Sequence, residues 1–461
     1  MDSFVVQAWI NDVAMVNTPS PRKRARTSQN DDDDDDEIAP LDLDKTPVRP
    51  SGSSTRSAST FQAALVTRPA FSTAQPSSET SRSRSSSPSK RFQKIGSLLA
   101  LAVPVHFTKT PVLGTALPSD AKGLFKTLSA VRAKVRLLPA VLRSHPDFRG
   151  DDEILESMWA DDSEGQGTIE AHEAAWRRQE ELRRIVAEST DASNEGRFES
   201  GWNNLVHTPI LKLATRDMPR LIIEPVMSAQ IMPAFRPLLA SGQQLLLPSS
   251  SSVSITTGSS HASDHGGVAA VPAPRPVAAI GLSVHKMIDY VVALRPSDTL
   301  RALIDAFLLG EPRERNSINQ TRYMPLQKRP APIFIETKRT SGVQDGASVQ
   351  LGVWLAAWYE RLRTLTALAG SPQEKLITLP LIQVTSGVWT LMFAVDEGTQ
   401  IRVRYRDWKI GDTDSTVGIY QLQASLVALG KWMENTFEPW FTDLLERAVE
   451  NRRRIARQLA G

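Results

Sequence analysis

The pattern of apolar and polar positions alternates between two periods, and each marks its own kind of element. From Pro332 to Arg339 the chain reads Pro-Ile-Phe-Ile-Glu-Thr-Lys-Arg. Side chains at i and i+2 of a strand share a face. Glu336 and Lys338 therefore lie side by side, with Ile333, Ile335 and Thr337 turned the other way. Period-two or continuously apolar patterning also predicts strands over Val284–Leu294, Leu379–Val384, Val388–Val395 and Thr399–Trp408. The last two are joined at Asp396-Glu397-Gly398 as a hairpin. The first of them carries a single acid, Asp289, among apolar neighbours, and such an acid needs a partner; Lys286 and His285 are the near candidates.

Helical spacing governs the rest. Ser119 is placed to cap a helix carrying Leu124, Leu128, Val131 and Val135, with order resuming near Asp120. Ile169–Glu188 reads as a long surface helix. Glu195–Thr208 reads as a helix stopping at Pro209, with Glu199, Trp202, Asn203, Val206 and His207 on one face. Gly201 weakens it by about 1 kcal/mol relative to Ala. Further helices are predicted over Asp298–Leu309, Ala347–Leu368, Val417–Met433 and Pro439–Leu459. Gln350 and Trp354 stand near the start of the one after the Glu336 strand.

Composition changes this picture at three places. Residues 1–16 have the spacing of a short amphipathic helix, and 17–94 are rich in Ser, Pro, Arg and Asp, with an acidic run at 31–36. Such a segment cannot bury enough surface to offset its ordering entropy, so a long disordered N-terminal arm is expected. Residues 239–280, rich in Ser, Gly, Ala and Pro, read as a flexible insertion within a domain. Between arm and domain, 95–194 are expected to form a helical extension, and 446–461 a basic helix end.

Charge adds little globally. With 54 basic and 51 acidic residues the formal net charge is +3, so any electrostatic signal for nucleic acid must be local. The cluster Pro21-Arg22-Lys23-Arg24-Ala25-Arg26 reads either as a nuclear-localisation segment or as a solvated charge block. The Arg452, Arg453, Arg454 and Arg457 cluster suits phosphate contact and helix solvation equally. The absence of Cys excludes disulfides, thiolate metal sites and Cys nucleophiles. No apolar run approaches the roughly 20 residues of a membrane span, and Met1-Asp2-Ser3-Phe4 lacks signal-peptide character. An intracellular, nuclear protein without a membrane partner is expected.

An acid-x-Lys tripeptide is weak by itself, since about two or three are expected by chance in such a chain. Asp120-Ala121-Lys122 sits at a helix start, where its acid complements the helix dipole. Asp407-Trp408-Lys409 ends a strand that is basic on one face. The Glu336 strand differs: it is apolar before its acid, it follows a strand with its own isolated acid, and it leads into a helix. Its bland reading is a same-face ion pair. Trp202 and Trp354 read as core, and His207 as a structural hydrogen-bonder.

In that order, Glu199-Ser200-Gly201-Trp202-Asn203-Asn204-Leu205-Val206-His207, Lys286-Met287-Ile288-Asp289-Tyr290, Ile335-Glu336-Thr337-Lys338, Val349-Gln350-Leu351-Gly352-Val353-Trp354 and Gly418-Ile419-Tyr420-Gln421-Leu422 resemble the fungal branch of the PD-(D/E)XK nuclease-like superfamily over residues 195–445. The resemblance implies an α/β, restriction-endonuclease-like core with a central mixed four-stranded sheet flanked by helices. It also implies that Asp289 and Glu336 bind Mg²⁺ (or Mn²⁺), with Glu199 as a third acid, that Lys338 positions the attacking water, and that Gln350 lies beside the metal. The motif proline is replaced by Ile288. The substrate so implied is nucleic acid, DNA before RNA. A catalytically silent nucleic-acid-binding module or a protein-interaction scaffold of the same fold is the alternative.

Overall fold

The structure, a computed structural model, describes residues 94–161, 169–242, 288–339 and 344–460. The expected amphipathic segment 1–16, the arm with its basic cluster, and most of the 239–280 insertion, with His261 and His265, lie outside them.

A single mixed seven-stranded sheet organises these residues, in the order β1-β7-β6-β5-β4-β3-β2. Its strands are β1 (Val105–Lys109), β2 (Leu221–Pro225), β3 (Tyr290–Leu294), β4 (Ile333–Lys338), β5 (Leu379–Thr385), β6 (Val388–Asp396) and β7 (Ile401–Asp412). Neighbours β1/β7 and β4/β5 run parallel, the other pairs antiparallel. The α/β class is as expected, but the sheet has seven strands where four were implied. Both edge strands escape pattern reading, being five residues long and only partly buried. One of them, β1, lies within the segment expected to be a helical extension, and it pairs with β7 almost 300 residues away.

The interior strand β4 is buried at all six positions, as expected for a strand covered on both faces. Its Phe334 face is covered by α6 (Gln344–Leu368), whose Trp354 meets the Phe334 ring edge-on at 6.4 Å. The opposite face, with Ile333 and Ile382, meets α4 (Thr208–Thr215) and α7 (Thr416–Trp432) through Leu211 and Leu426. The other helices include α1 (Ser119–Arg132), α2 (Ile169–Asn194), α3 (Glu199–Trp202), α5 (Asp298–Leu309) and α8 (Glu438–Ala460), with a further single turn at Leu113–Ala116. Ser119 is the first residue of α1 rather than its cap, which is Pro118, with no side-chain cap bond. That helix ends at Arg132, because Lys134 and Arg136 take positive φ and leave Val135 exposed.

Pro209 does not stop its helix. Between α3 and α4 a π-turn, Asn203–His207, gives Thr208 N–H the Asn203 carbonyl, five residues back. The ring of Pro209 thus enters at a widened turn rather than against a tight α-helical one. The same device recurs between α7 and α8, where the π-turn Met433–Phe437 precedes Pro439 and Glu438 N–H bonds to the Met433 carbonyl. Two helices expected to be separate thus form one continuous helical run.

Candidate active site

Four of the five expected site residues are gathered at the C-terminal end of β4. Glu336 is fully buried, and the Lys338 ammonium bonds its Oε1 and, at 2.8 Å, the Thr337 carbonyl. Strand alternation alone sets Glu336 and Lys338 on one face. Asp289 arrives from the neighbouring strand. Asp289 stands just before β3, whose first residue Tyr290 pairs with Ile335, and its own N–H reaches the Ile335 carbonyl at 3.2 Å. Glu199, the first residue of α3, brings Oε2 to 3.8 Å from the Lys338 ammonium. Gln350 lies on α6 one turn before Trp354, the residue that meets Phe334 of β4.

Asp289 finds its partners on β4 itself. Its Oδ2 accepts the Thr337 N–H and the Thr337 hydroxyl, each at 2.8 Å. Lys286 and His285, the near candidates from sequence, lie outside the described residues. Thr337 Oγ1 is also 2.9 Å from Asn203 Oδ1, which is 2.8 Å from His207 Nδ1; His207 Nε2 meets the Ser386 carbonyl at 2.9 Å. His207 is the structural hydrogen-bonder expected. Burial pushes its pKa down to about 4, against the smaller opposing pull of the Ser386 carbonyl and the Asp289 charge. Tyr290 donates its hydroxyl to the Asn203 carbonyl at 3.0 Å, and its own pKa is raised to about 12 by burial. The π-turn is thereby bolted to the strand that carries Asp289.

The competing tripeptides serve elsewhere. Asp120 accepts from Thr378 N and Oγ1, tying α1 to the approach to β5. Asp407 has a φ of +49°, beside a register shift between β6 and β7, and is exposed in an ion pair with Lys109. Trp202 and Trp354 are buried core. At the C-terminus Arg452 is held by Glu311 and by the Phe307 carbonyl and ring.

Beside Glu336 and Lys338, on the same sheet face, opens a cleft of about 580 Å³, lined by Ser348, Gln383, Thr385, Thr390, Tyr405 and Trp408 among others. Parallel pairing sets Gln383 opposite Glu336 and Thr385 opposite Lys338. Neither was singled out from sequence, because β5 looks like ordinary core until its register with β4 is known. Thr337 was missed for the opposite reason: alternation turns it away from the Glu336 face.

A family model for the PD-(D/E)XK nuclease superfamily matches residues 144–438, more than half the chain. The chain belongs to the PD-(D/E)XK nuclease superfamily. No curated protein and no solved structure matches it. The matched region contains all five PD-(D/E)XK candidate residues. It also begins before residue 195, where the resemblance was drawn, taking in α2, whose Ser189 bonds Thr413 and Asp414 at the end of β7.

The donor set of this PD-(D/E)XK site suits a hard divalent cation. Mg²⁺ is commonly held by one or two carboxylates with water completing the shell, and Asp289 is bonded to Thr337, the residue next to Glu336. Among the described residues no group of three or more His, Asp or Glu is arranged to hold a metal ion. Charge points the same way as the oxygens. Two carboxylates, Glu199 and Glu336, approach the Lys338 ammonium at the end of β4, and a third, Asp289, is bonded to the intervening Thr337. Among the described residues no helix is long and apolar enough to cross a membrane.

Proposed function

We propose that this chain is a metal-dependent nuclease that hydrolyses phosphodiester bonds, with Mg²⁺ or Mn²⁺ held by Asp289 and Glu336. The observation that carries the reading is the Asp289 carboxylate bonded to Thr337, the residue between Glu336 and Lys338, with Lys338 bonded to Glu336. When bound, a hard cation neutralises phosphate charge and acidifies water. The chain's own residues do the rest. Lys338 is nine-tenths buried, so its charge is little screened. Held by Glu336 and the Thr337 carbonyl, it presents a fixed point charge that orients a water and stabilises a developing anion. Gln350, on the helix that covers the Phe334 face of β4, is assigned as an uncharged polar group beside the cation. Glu199 balances the ammonium from the helix side. The cleft beside them, with hydroxyl, amide and aromatic lining, is where a nucleotide chain would lie.

DNA is assigned before RNA on the superfamily resemblance alone, and a nuclear location on the basic cluster at 21–26. Purified protein incubated with plasmid, linear and single-stranded DNA and with RNA, plus Mg²⁺ or Mn²⁺, tests the activity. Metal-dependent cleavage abolished by Asp289→Ala and by Lys338→Ala is expected. No cleavage, or cleavage indifferent to both substitutions, would sink it. One observation favours the silent alternative: the Lys338 ammonium already neutralises the carboxylate that a metal would use. Salt-dependent nucleic-acid binding without metal-dependent turnover would identify that case.

A further inference from the structure

The sheet face opposite the cleft carries a buried polar chain that phosphodiester chemistry does not call for. It runs from the Ser386 carbonyl through His207 and Asn203 to Thr337, and ends on Asp289 Oδ2. His207, Asn203, Thr337 and Asp289 are each at most 2 % exposed. Burying four polar side chains is costly unless each is satisfied. Apolar residues would serve if only packing were required, since the surrounding face, with Trp202, Trp389 and Ile335, is core.

Four contacts link these groups and need four protons. Thr337 carries one, and neutral His207 carries one. The Asn203 amide supplies the other two when its nitrogen, rather than its oxygen, faces His207 Nδ1 and Thr337 Oγ1. That orientation also employs Asn203 Nδ2, which otherwise has no hydrogen-bond partner. His207 then donates from Nε2 to Ser386, and Thr337 is left to donate its single hydroxyl proton to Asp289. The π-turn makes this possible. It widens the helix between Asn203 and His207, and Tyr290, next to Asp289, clamps it through the Asn203 carbonyl. π-turns of this kind are frequent at functional sites.

We propose that Thr337, oriented by Asn203 and His207, is a positioning residue that fixes the Asp289 carboxylate for cation binding. Two donors on Oδ2 fix the plane of the carboxylate, in the way partners behind a ligand set its direction. The inference rests on the reading of Asp289 as a metal ligand, and its test separates the two.

The test is the affinity of the full chain for Mn²⁺ alone, followed by electron paramagnetic resonance of free Mn²⁺ with no nucleic acid present. Thr337→Val keeps the shape, the strand propensity and the backbone N–H but removes the hydroxyl. It should weaken Mn²⁺ binding about 10-fold or more, the range found when such supporting partners are removed. Thr337→Ser, which keeps the donor, should bind within about 2-fold of the parent, a rescue that a merely packing role for Thr337 would not produce. Asn203→Leu should weaken binding in the same direction from the other end of the chain, and it serves if Thr337→Val does not fold. Parent-like binding by the folded Val or Leu variant, while Asp289→Asn loses binding, would overturn the positioning role alone. Parent-like binding by Asp289→Asn, or none by the parent, would overturn the metal reading and the inference with it.

Discussion

Replacing Lys338 with Met removes the ammonium from Glu336 while keeping most of the apolar stem. In the folded chain Glu336 is fully buried, and Lys338 is its cationic partner, with Glu199 Oε2 3.8 Å from the same nitrogen. The substitution therefore leaves a buried carboxylate without the cation that bonds its Oε1. Breaking a buried pair from one side costs about 3–5 kcal/mol, far more than a surface pair is worth. At about 2–4 °C per kcal/mol for a domain approaching this size, the melting temperature should fall by roughly 10 °C. The assay is thermal unfolding in metal-free buffer at neutral pH, on Lys338→Met, Glu336→Gln and the double variant. If the loss is electrostatic, the double variant recovers most of it, because no orphan charge remains, and the cycle returns a coupling energy of about 1–3 kcal/mol. A melting temperature for Lys338→Met within about 1 °C of the parent, a small fraction of that expected drop, would refute the reasoning. So would a double variant no more stable than Lys338→Met.

Two further outcomes are expected. His207 is neutral in the fold, its pKa lowered to about 4 by burial, but titrates at its ordinary 6.5 when unfolded. Between those values the unfolded state binds the extra proton, so stability falls as pH drops from about 6.5 to 4, by about 3 kcal/mol in all. Urea unfolding across that range should show His207→Gln with a correspondingly flatter profile than the parent, and equal slopes would refute the assignment. Arg361 is fully buried on α6, bonded to Glu311 at 3.0 Å and the Ser317 carbonyl at 2.7 Å, and stacked over Phe235 and Phe307. Arg361→Met should destabilise by about 3 kcal/mol in urea unfolding, because Glu311 and the Ser317 carbonyl lose buried partners; a loss below about 1 kcal/mol would show that packing on the two rings is all that matters.

Sequence by itself determined the elements whose apolar faces are dense and local. The Glu336 strand was bounded to within a residue or two, α5 matches at both ends, and α6 differs only at its start. The pairing of Glu336 with Lys338 was equally legible, because alternation along one strand needs no partner to be known. What required the tertiary structure was whatever depends on register between distant segments. Sequence singled out Asp289, but only the β3–β4 pairing brings it onto Thr337 beside Glu336, and only β5 beside β4 turns Gln383 and Thr385 into cleft walls. The edge strands β1 and β2 carry too few buried positions for a period to show, and β1 finds its partner at the other end of the chain. Pro209 and Pro439 read as breaks because a local rule cannot foresee a widened turn that tertiary contacts support. Thr337 is the sharpest case. Alternation points it away from the chemistry, and its bond to Asn203, 134 residues earlier, exists only once helix and sheet are packed.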